Sequence, residues 1–453
     1  MNPVVAPAPG ATLTTPPDAE LDEPDVSRAG RAPADDESRV AATIIALLMI
    51  TIPLANARIL WSVPGASQDW TRSVIVAPFD LVLVLAVGWT ILHPQALVEL
   101  FRSRAVQIAA GAYAAVFAIS LVAGFSWLGV NLGLRLGAGL AMIALVSKGA
   151  ESAKGRQFML GTIVVVGVLQ AVLAMAQSAH GTAFGIDFID YAGRLYPFGS
   201  SRAGRGGLGH PYHLAVLLTV AQGAALLGLR HTRSARWPWV ASLAVLGAGI
   251  AVTYTRAGAI GQVLLVICLL LGRRDRRLML PAAAAIVVGL LIGGVAFGDG
   301  WMAKSDVTIN ADGTQAMSSS RTERLREAKE LISANPVVGV GPGTYVDALH
   351  AEKRVEYLPA HNLVAQDAAE MGILGGIAVT ALLALLGLRV VRGGAWTGAV
   401  VLPIVPFLLL DAYPYVFATG IALAAIWLGL ARVSLTAAAS AEPDAEPAPE
   451  LAS

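Results

Sequence analysis

The feature that most constrains this chain is a succession of apolar stretches, each about 20 residues long, that runs through most of its length. Such a stretch crosses a bilayer as one α-helix, because only helices and closed barrels satisfy the backbone inside hydrocarbon. The composition agrees, since 14% of the residues are charged, whereas a soluble domain carries about 25%. We predict an all-α polytopic membrane protein with about 12 transmembrane helices. They begin near Val40, Ser73, Ala105, Asn131, Gln157, Pro211, Trp237, Ala259, Leu278, Asn362, Trp396 and Tyr415.

Basic residues are concentrated in alternate loops between these stretches. The loops are marked by Arg102 and Arg104; by Lys148, Lys154 and Arg156; by Arg230, Arg233 and Arg236; by Arg273, Arg274, Arg276 and Arg277; and by Arg389 and Arg392. The intervening short loops contain few basic residues, chiefly Arg58 and Arg72. Because Lys and Arg are enriched in cytoplasmic loops, both termini are predicted to be cytoplasmic.

The ends of the chain differ in composition from its middle. Residues 1–38 are rich in Pro, Ala, Asp and Glu, and residues 434–453 form a second acidic, low-complexity segment. Both are predicted to be disordered cytoplasmic tails, which leaves residues 39–433 as the transmembrane domain. Two outward segments, about 178–209 and 299–361, are longer than ordinary connections.

The second long segment predicts a short helix at the outer membrane surface. Ser320-Arg-Thr-Glu323 has the spacing of a capping box, in which two side chains satisfy free amides at a helix start. Asn335-Pro336 predicts its end, since the residue before proline avoids the helical region. Apolar residues recur on one helical face between these signals, at Leu325, Ala328, Leu331 and Ile332.

Several functions are excluded or weakened by the sequence. A formal net charge of +1 gives no general attraction for nucleic acid. The single cysteine, Cys268, lies in an apolar run and can form neither an intramolecular disulfide nor a metal site alone. Gly339-Val-Gly-Pro-Gly343 has no preceding strand and faces away from the cytoplasm, so it is read as a tight turn rather than a nucleotide loop.

Two arginines at the outward side are candidate ligands for an anion. Arg256 lies where two apolar stretches meet, and such a cation either faces a cavity or extends to the headgroups. Arg321 falls in the first turn of the predicted loop helix, where free amides and a forked guanidinium suit phosphate oxygens. The alternative for Arg321 is a solvated helix face.

Histidines and acids supply the remaining candidates. His361 precedes an apolar helix and is either a general base at the membrane boundary or a helix cap. His210 and His213 lie beside Arg202 and Arg205 without a third metal ligand, which favours substrate contact or capping over metal binding. The membrane-embedded acids Asp80 and Glu370 are either internal helix partners or substrate ligands.

An ordered set of motifs resembles the O-antigen ligase and O-antigen polymerase (Wzy-type) superfamily. Arg321 is followed by Pro336, by Gly339-Val-Gly-Pro-Gly-Thr-Tyr345 and by His361-Asn362-Leu363. The resemblance extends over about 200–380, through Arg205-Gly-Gly-Leu-Gly-His-Pro211, Thr253-Tyr-Thr-Arg-Ala-Gly258 and Gln366-Asp-Ala-Ala-Glu-Met-Gly-Ile-Leu-Gly375. The departures are Thr255 for the usual serine, Ala257 for the usual glycine and Tyr212 for the common asparagine.

The resemblance implies a GT-C-type, inverting and metal-independent membrane glycosyltransferase in the bacterial inner membrane. Its donor would be a glycan on polyprenyl (undecaprenyl) diphosphate, its acceptor a hydroxyl of a glycan, lipid or wall component, and it would need no cofactor. By position, Arg256 and Arg321 would bind the diphosphate and His361 would take the acceptor proton. The expected substrate-binding residues are Arg202, Arg205, His210, His213, Asn362, Glu370 and Asp80.

Other functions remain open within this interpretation. A ligase moves a finished glycan to its acceptor, whereas a polymerase moves a growing chain to the next lipid-linked repeat. A protein glycosyltransferase of the same superfamily is a third possibility. From a different class, a lipid-linked glycan flippase or transporter would also have many spans, but the polar candidates gather outside the midplane and no internal repeat is evident.

Overall fold

The computed structural model describes residues 32–54, 58–63, 73–184, 195–198, 201–232, 235–273, 275–309, 311–352, 359–410 and 418–439. Between residues 304 and 321 it describes helical backbone and not side chains.

Helices dominate the described residues, accompanied by two small antiparallel hairpins. The strands are β1 Arg58–Ser62 paired with β2 Ser73–Val76, and β3 Tyr196–Phe198 paired with β4 Ser201–Ala203. The helices are α1 Ala32–Thr51, α2 Pro78–Leu92, α3 Pro94–Leu100, α4 Arg104–Ala123, α5 Trp127–Gly149, α6 Ala153–His180, α7 Pro211–His231, α8 Trp237–Ala251, α9 Arg256–Leu271, α10 Arg276–Ala296, α11 Gly298–Ile309, α12 Ala311–Ala334, α13 Tyr345–Ala351, α14 Leu363–Val401, α15 Val405–Leu409 and α16 Ala418–Ala439.

Seven helical segments in the described part are long and apolar enough to cross a membrane. They are α4, α5, α6, α7, α10, the segment Leu363–Leu409, and α16. The pair α2 and α3, bent by 90°, would raise the number to eight. The predicted number of 12 is therefore not confirmed. Helices α8 and α9, with 15 and 16 residues, are shorter than a full span.

The predicted spans at Asn362 and Trp396 belong to one interrupted helix. At 1.5 Å per residue, a straight α14 would be nearly twice the thickness of a hydrocarbon core. Its backbone leaves helical geometry at Gly372, with φ 75°, and at Gly394, with φ 71°. These breaks leave a middle segment, 373–393, whose length of about 30 Å suits one crossing.

Helix α7 forms the centre of the bundle. Of its 18 most apolar consecutive residues, 94% are buried inside the protein. The helix packs against α6, α8, α14 and α16. Two buried amides join it to α9, since Gln222 and Gln262 donate to each other's carbonyl oxygen at 2.9 and 2.8 Å. This reciprocal pair fixes the two helices relative to each other. Their first turns lie at the same end of the bundle, since a Cβ at Gly258 would be 3.7 Å from Ala215 Cβ.

The basic loops lie together at the opposite end. The contacts that join them are those of Arg230 with the Trp396 ring, Trp396 with Asp275, and Arg432 with Glu99. The first and last helices extend into the predicted tails, 1–38 and 434–453. Helix α1 begins at Ala32 and its buried Ser38 donates to Gly149 O, while α16 continues to Ala439. Residues before 32 and after 439 lie outside the described residues.

The second long segment, 299–361, contains α12, α13 and nearly all of α11. The predicted capping box is wrong, because α12 begins at Ala311 and Ser320 lies in its interior. Its end at Ala334, directly before Asn335-Pro336, is confirmed. The buried face of α12 contains Ala328 and Leu331, as expected, but Leu325 is 47% exposed.

Candidate active site

His361 lies in a turn whose backbone is held on both sides. It has a φ of 53°, in the left-handed region that non-glycine residues rarely adopt. Before it, the Ala360 N–H donates to Gln366 Oε1 at 2.9 Å. After it, Asn362 caps α14 by accepting from Ala365 N at 2.9 Å, and its Nδ2 donates to Leu409 O at 3.0 Å. Backbone strain of this kind tends to occur at functional sites.

Arg256 is the first residue of α9 and follows a second strained residue. Tyr254 has a φ of 51° and a fully buried ring, and its hydroxyl donates to Phe297 O at 3.0 Å. The indole of Trp301 donates to Ala251 O at 3.0 Å and packs edge-on against the Tyr254 ring. These contacts attach α11 to the α8–α9 junction, so that the half-buried Arg256 begins its helix from a fixed turn.

Residues 336–343 form a turn that packs on the break in α14. The N–H groups of Val340 and Gly341 donate to Ala369 O and Glu370 O at 3.0 and 2.9 Å. From the other side of the break, Ile373 N donates to Pro336 O at 2.9 Å. The turn therefore satisfies backbone groups that the interruption of α14 would leave free, and the expected tight turn is confirmed.

A third turn, ahead of α7, is built on buried amides. The Arg205 and Gly206 N–H groups donate to Gln177 Oε1 at 3.1 and 2.9 Å. His210 caps α7 by accepting from Tyr212 N at 3.1 Å. The Tyr212 hydroxyl then donates to Phe407 O at 2.8 Å. Because Asn362 binds Leu409 O, the His210 and His361 turns are both attached to α15.

One family comparison covers this part of the chain. Residues 241–380 match the sequence family described as O-antigen ligase. This match, over the O-antigen ligase region, supports the O-antigen ligase and polymerase superfamily. No curated protein matches the chain.

The O-antigen ligase region contains five of the predicted site residues. They are Arg256, Arg321, His361, Asn362 and Glu370. The backbone of α12 places Arg321 one helical turn before Arg324, but its side chain lies outside the described residues. Since α12 begins earlier than predicted, Arg321 does not lie at a helix N-terminus.

Glu370 serves as an internal partner in the O-antigen ligase region. Its carboxylate is buried and accepts from Gly343 N at 2.7 Å, from Tyr345 N at 3.4 Å and from Gln366 Nε2 at 2.6 Å. A buried carboxylate is tolerated when donors surround it in this way. Substrate binding by Glu370 and Asn362 remains a prediction, while the structure gives both residues a structural role.

Asp80 lies outside the O-antigen ligase region and has an internal partner. Its Oδ1 accepts from Arg135 at 3.1 Å, and its Oδ2 accepts from Ala77 N at 2.6 Å. The pair joins α2 to α5 with both side chains largely buried. Of the two interpretations that the sequence left open, the structure favours the internal helix partner.

The residues ahead of α7 also precede the O-antigen ligase region. Arg205 is 1% exposed and donates to Gly209 O at 3.3 Å. Burial lowers the pKa of its guanidinium, which remains cationic because the ordinary value is far above neutrality. The rings of His210 and His213 are 5.2 Å apart. Among the described residues, no group of three His, Cys, Asp or Glu side chains could hold a metal ion.

Sequence reasoning missed a buried ion pair beside Arg321. Arg324 donates to Glu327 at 2.6 Å with both side chains 4% exposed. Their spacing of three residues on one helix is typical of an ion pair. Nothing in the sequence indicated that this face of α12 is buried. The apolar pattern pointed to Leu325, whereas Arg324 and Glu327 occupy the covered side of α12.

Proposed function

We propose that this protein is an O-antigen ligase-like membrane glycosyltransferase. It moves a glycan from polyprenyl diphosphate to an acceptor hydroxyl at the extracytoplasmic face, in surface polysaccharide assembly. The observation that carries the proposal is the family match over 241–380, which encloses Arg256, Arg321 and His361 in one continuous region. The rigid turns around Arg256 and His361, both at helix starts on the same end of the bundle, support it.

In this reaction Arg256 and Arg321 bind the diphosphate. The bond between the anomeric carbon and the diphosphate oxygen breaks, and the two guanidiniums stabilise the charge that develops on the leaving group. The acceptor oxygen attacks the anomeric carbon from the opposite face, which inverts its configuration. His361 takes the proton that the acceptor hydroxyl loses. Since the donor already stores the required energy, the proposed mechanism uses neither a nucleotide nor a metal.

A polymerase is the second candidate within the same chemistry. It would use the same arginines and histidine, but its acceptor would be the next lipid-linked repeat. A flippase is the candidate from another class, and it would need no general base. The position of His361 at a helix start, rather than inside a spanning segment, favours transfer over transport.

Lipid-linked glycans extracted from a strain lacking this protein separate the three functions. We expect long glycan chains to accumulate on the polyprenyl carrier at the outer face, as a missing ligase requires. Accumulation of single repeats would indicate a polymerase instead. Donor trapped at the cytoplasmic face would indicate a flippase and overturn the proposal. Insensitivity of purified protein to a chelator tests the metal-free mechanism separately.

Arg321→Lys is expected to weaken donor binding by about 10- to 100-fold. Lysine keeps the charge but loses the two-pronged geometry, and one hydrogen bond to a charged group contributes about 1.5–3 kcal/mol. The measurement is the equilibrium binding of a polyprenyl-diphosphate glycan to detergent-solubilised protein.

Arg326→Lys is the matched control for that experiment. Arg326 lies on the same helix, is exposed and pairs with Glu323 and Glu330. Its conservative change should leave donor affinity unaltered. Equal affinities in both variants and the wild type would show that Arg321 does not bind the diphosphate.

A further inference from the structure

A chain of buried hydrogen bonds runs along the start of α14, away from His361. Gln366 Oε1 accepts from Ala360 N at 2.9 Å, and Gln366 Nε2 donates to Glu370 Oε1 at 2.6 Å. Glu370 Oε2 accepts from Gly343 N at 2.7 Å. Gln366 and Glu370 are 1% and 2% exposed. The chain thus links the residue before His361 to the turn at 336–343.

The direction of each bond in this chain is fixed by its ends. A backbone N–H can only donate, so Ala360 requires the carbonyl oxygen of the Gln366 amide. The amide nitrogen of Gln366 must then face Glu370, which accepts as a carboxylate. A second backbone N–H, that of Gly343, occupies the other oxygen of Glu370. A flipped Gln366 amide would place its nitrogen against the Ala360 N–H and its oxygen against the Glu370 carboxylate, so both bonds would be lost.

The far end of the chain reaches α12. Tyr345, whose N–H faces Glu370, is fully buried and donates from its hydroxyl to Arg324 O at 3.3 Å. Ala328 and Leu331 of α12 pack in the same buried cluster as Tyr345 and Ala360. One polar chain therefore connects the helix that contains Arg321 to the turn that presents His361.

We infer that Gln366 and Glu370 are positioning residues that hold the His361 turn in register with α12. This inference rests on the proposed function, because it assigns the pair the task of placing the general base relative to the diphosphate-binding helix. Neither side chain contacts substrate in this role. They act by fixing the backbone at Ala360 and the turn at Gly343.

A reciprocal exchange of the two side chains tests the inference. Glu370→Gln alone places two amide nitrogens against each other or an amide nitrogen against Gly343 N–H. Gln366→Glu alone places two carboxylates against each other. The double variant Gln366→Glu with Glu370→Gln restores a donor opposite an acceptor in each of the three bonds of the chain, while the long contact from Tyr345 N is lost.

Each single variant is expected to lower kcat for glycan transfer by about 10- to 100-fold, with little change in the KM for the donor. The double variant should recover to within about threefold of the wild type. In the His361→Ala background, the single variants should lower the residual rate no further. A double variant as impaired as the singles, or singles with wild-type kcat, would overturn the positioning role.

Hydrogen exchange of the peptide that contains Ala360 gives a readout independent of catalysis. With full-length protein in nanodiscs, both single variants should lose protection there, and the double variant should regain it. Unchanged protection in the singles would refute the hydrogen-bonded chain itself. If protection follows the expected pattern but His361→Ala retains full transfer, the proposed base fails while the chain stands, so the two failures are distinguishable.

Discussion

The His361→Ala variant is expected to lose transfer by about 100- to 10,000-fold while it inserts and folds normally. General-base catalysis contributes rates of about this size, because the acceptor oxygen must lose its proton as it attacks. The imidazole is half-buried at the start of α14 rather than in the bundle core, so its removal leaves no large cavity. The measurement is glycan transfer by purified protein in detergent or nanodiscs, at saturating donor.

The backbone at His361 offers a second variant that separates activity from folding. At a φ of 53°, glycine avoids a cost of about 1–2 kcal/mol that alanine retains. His361→Gly should therefore be at least as stable to heat as His361→Ala, yet equally inactive. His180→Ala, which changes an exposed histidine at the end of α6, should transfer normally. Wild-type transfer by either His361 variant would remove the base assignment.

Gly339→Ala is expected to prevent the protein from accumulating in a folded state. Gly339 has a φ of 69°, and a Cβ there would overlap the carbonyl group of Glu370. Both groups belong to backbone, which cannot rotate away. The left-handed conformation costs alanine about 1–2 kcal/mol and the overlap a further 1–3 kcal/mol or more. Together these costs, about 2–5 kcal/mol or more, reach the lower end of the stability of many proteins, about 5–15 kcal/mol.

Gly394→Ala is the matched control for this prediction. Gly394 has nearly the same φ, 71°, but a Cβ there would meet nothing within 4 Å. The Gly394→Ala variant therefore measures the free-energy cost of the left-handed backbone without any steric overlap. We expect Gly394→Ala to lower the thermal midpoint modestly and Gly339→Ala to abolish the monodisperse peak in size-exclusion chromatography. Similar behaviour of the two variants would show that the turn at 336–343 does not pack on α14 as described.

Much of the helical architecture was predictable from hydropathy, but the number of spans was not. Pro211 and Trp237 begin α7 and α8 where they were expected, and α12 ends before Asn335-Pro336. Hydropathy measures how apolar a segment is, not whether its backbone runs straight. It placed a boundary between the spans at Asn362 and Trp396, close to the break at Gly394, but gave no sign of the break at Gly372.

The sequence offered the candidate site as a set of residues whose roles stay a prediction, and it gave no sign of the contacts among them. The order of motifs identified Arg256, Arg321 and His361, all inside the matched region. The partner of Asp80 is Arg135, 55 residues away, and no periodicity links the two. The motifs included Gln366 but gave it no role, because that role depends on a turn, 359–362, whose path the sequence does not specify.

The interruption of α14 has a consequence for the order in which this protein can be assembled. At the Gly372 break, the carbonyls of Ala369 and Glu370 accept from Val340 N, Gly341 N and the Ser120 hydroxyl, and Ile373 N donates to Pro336 O. All of these partners precede α14 in the chain. When α14 leaves the ribosome, the nascent polypeptide therefore already contains these partners, so the Gly372 break can enter a membrane with those backbone groups hydrogen-bonded.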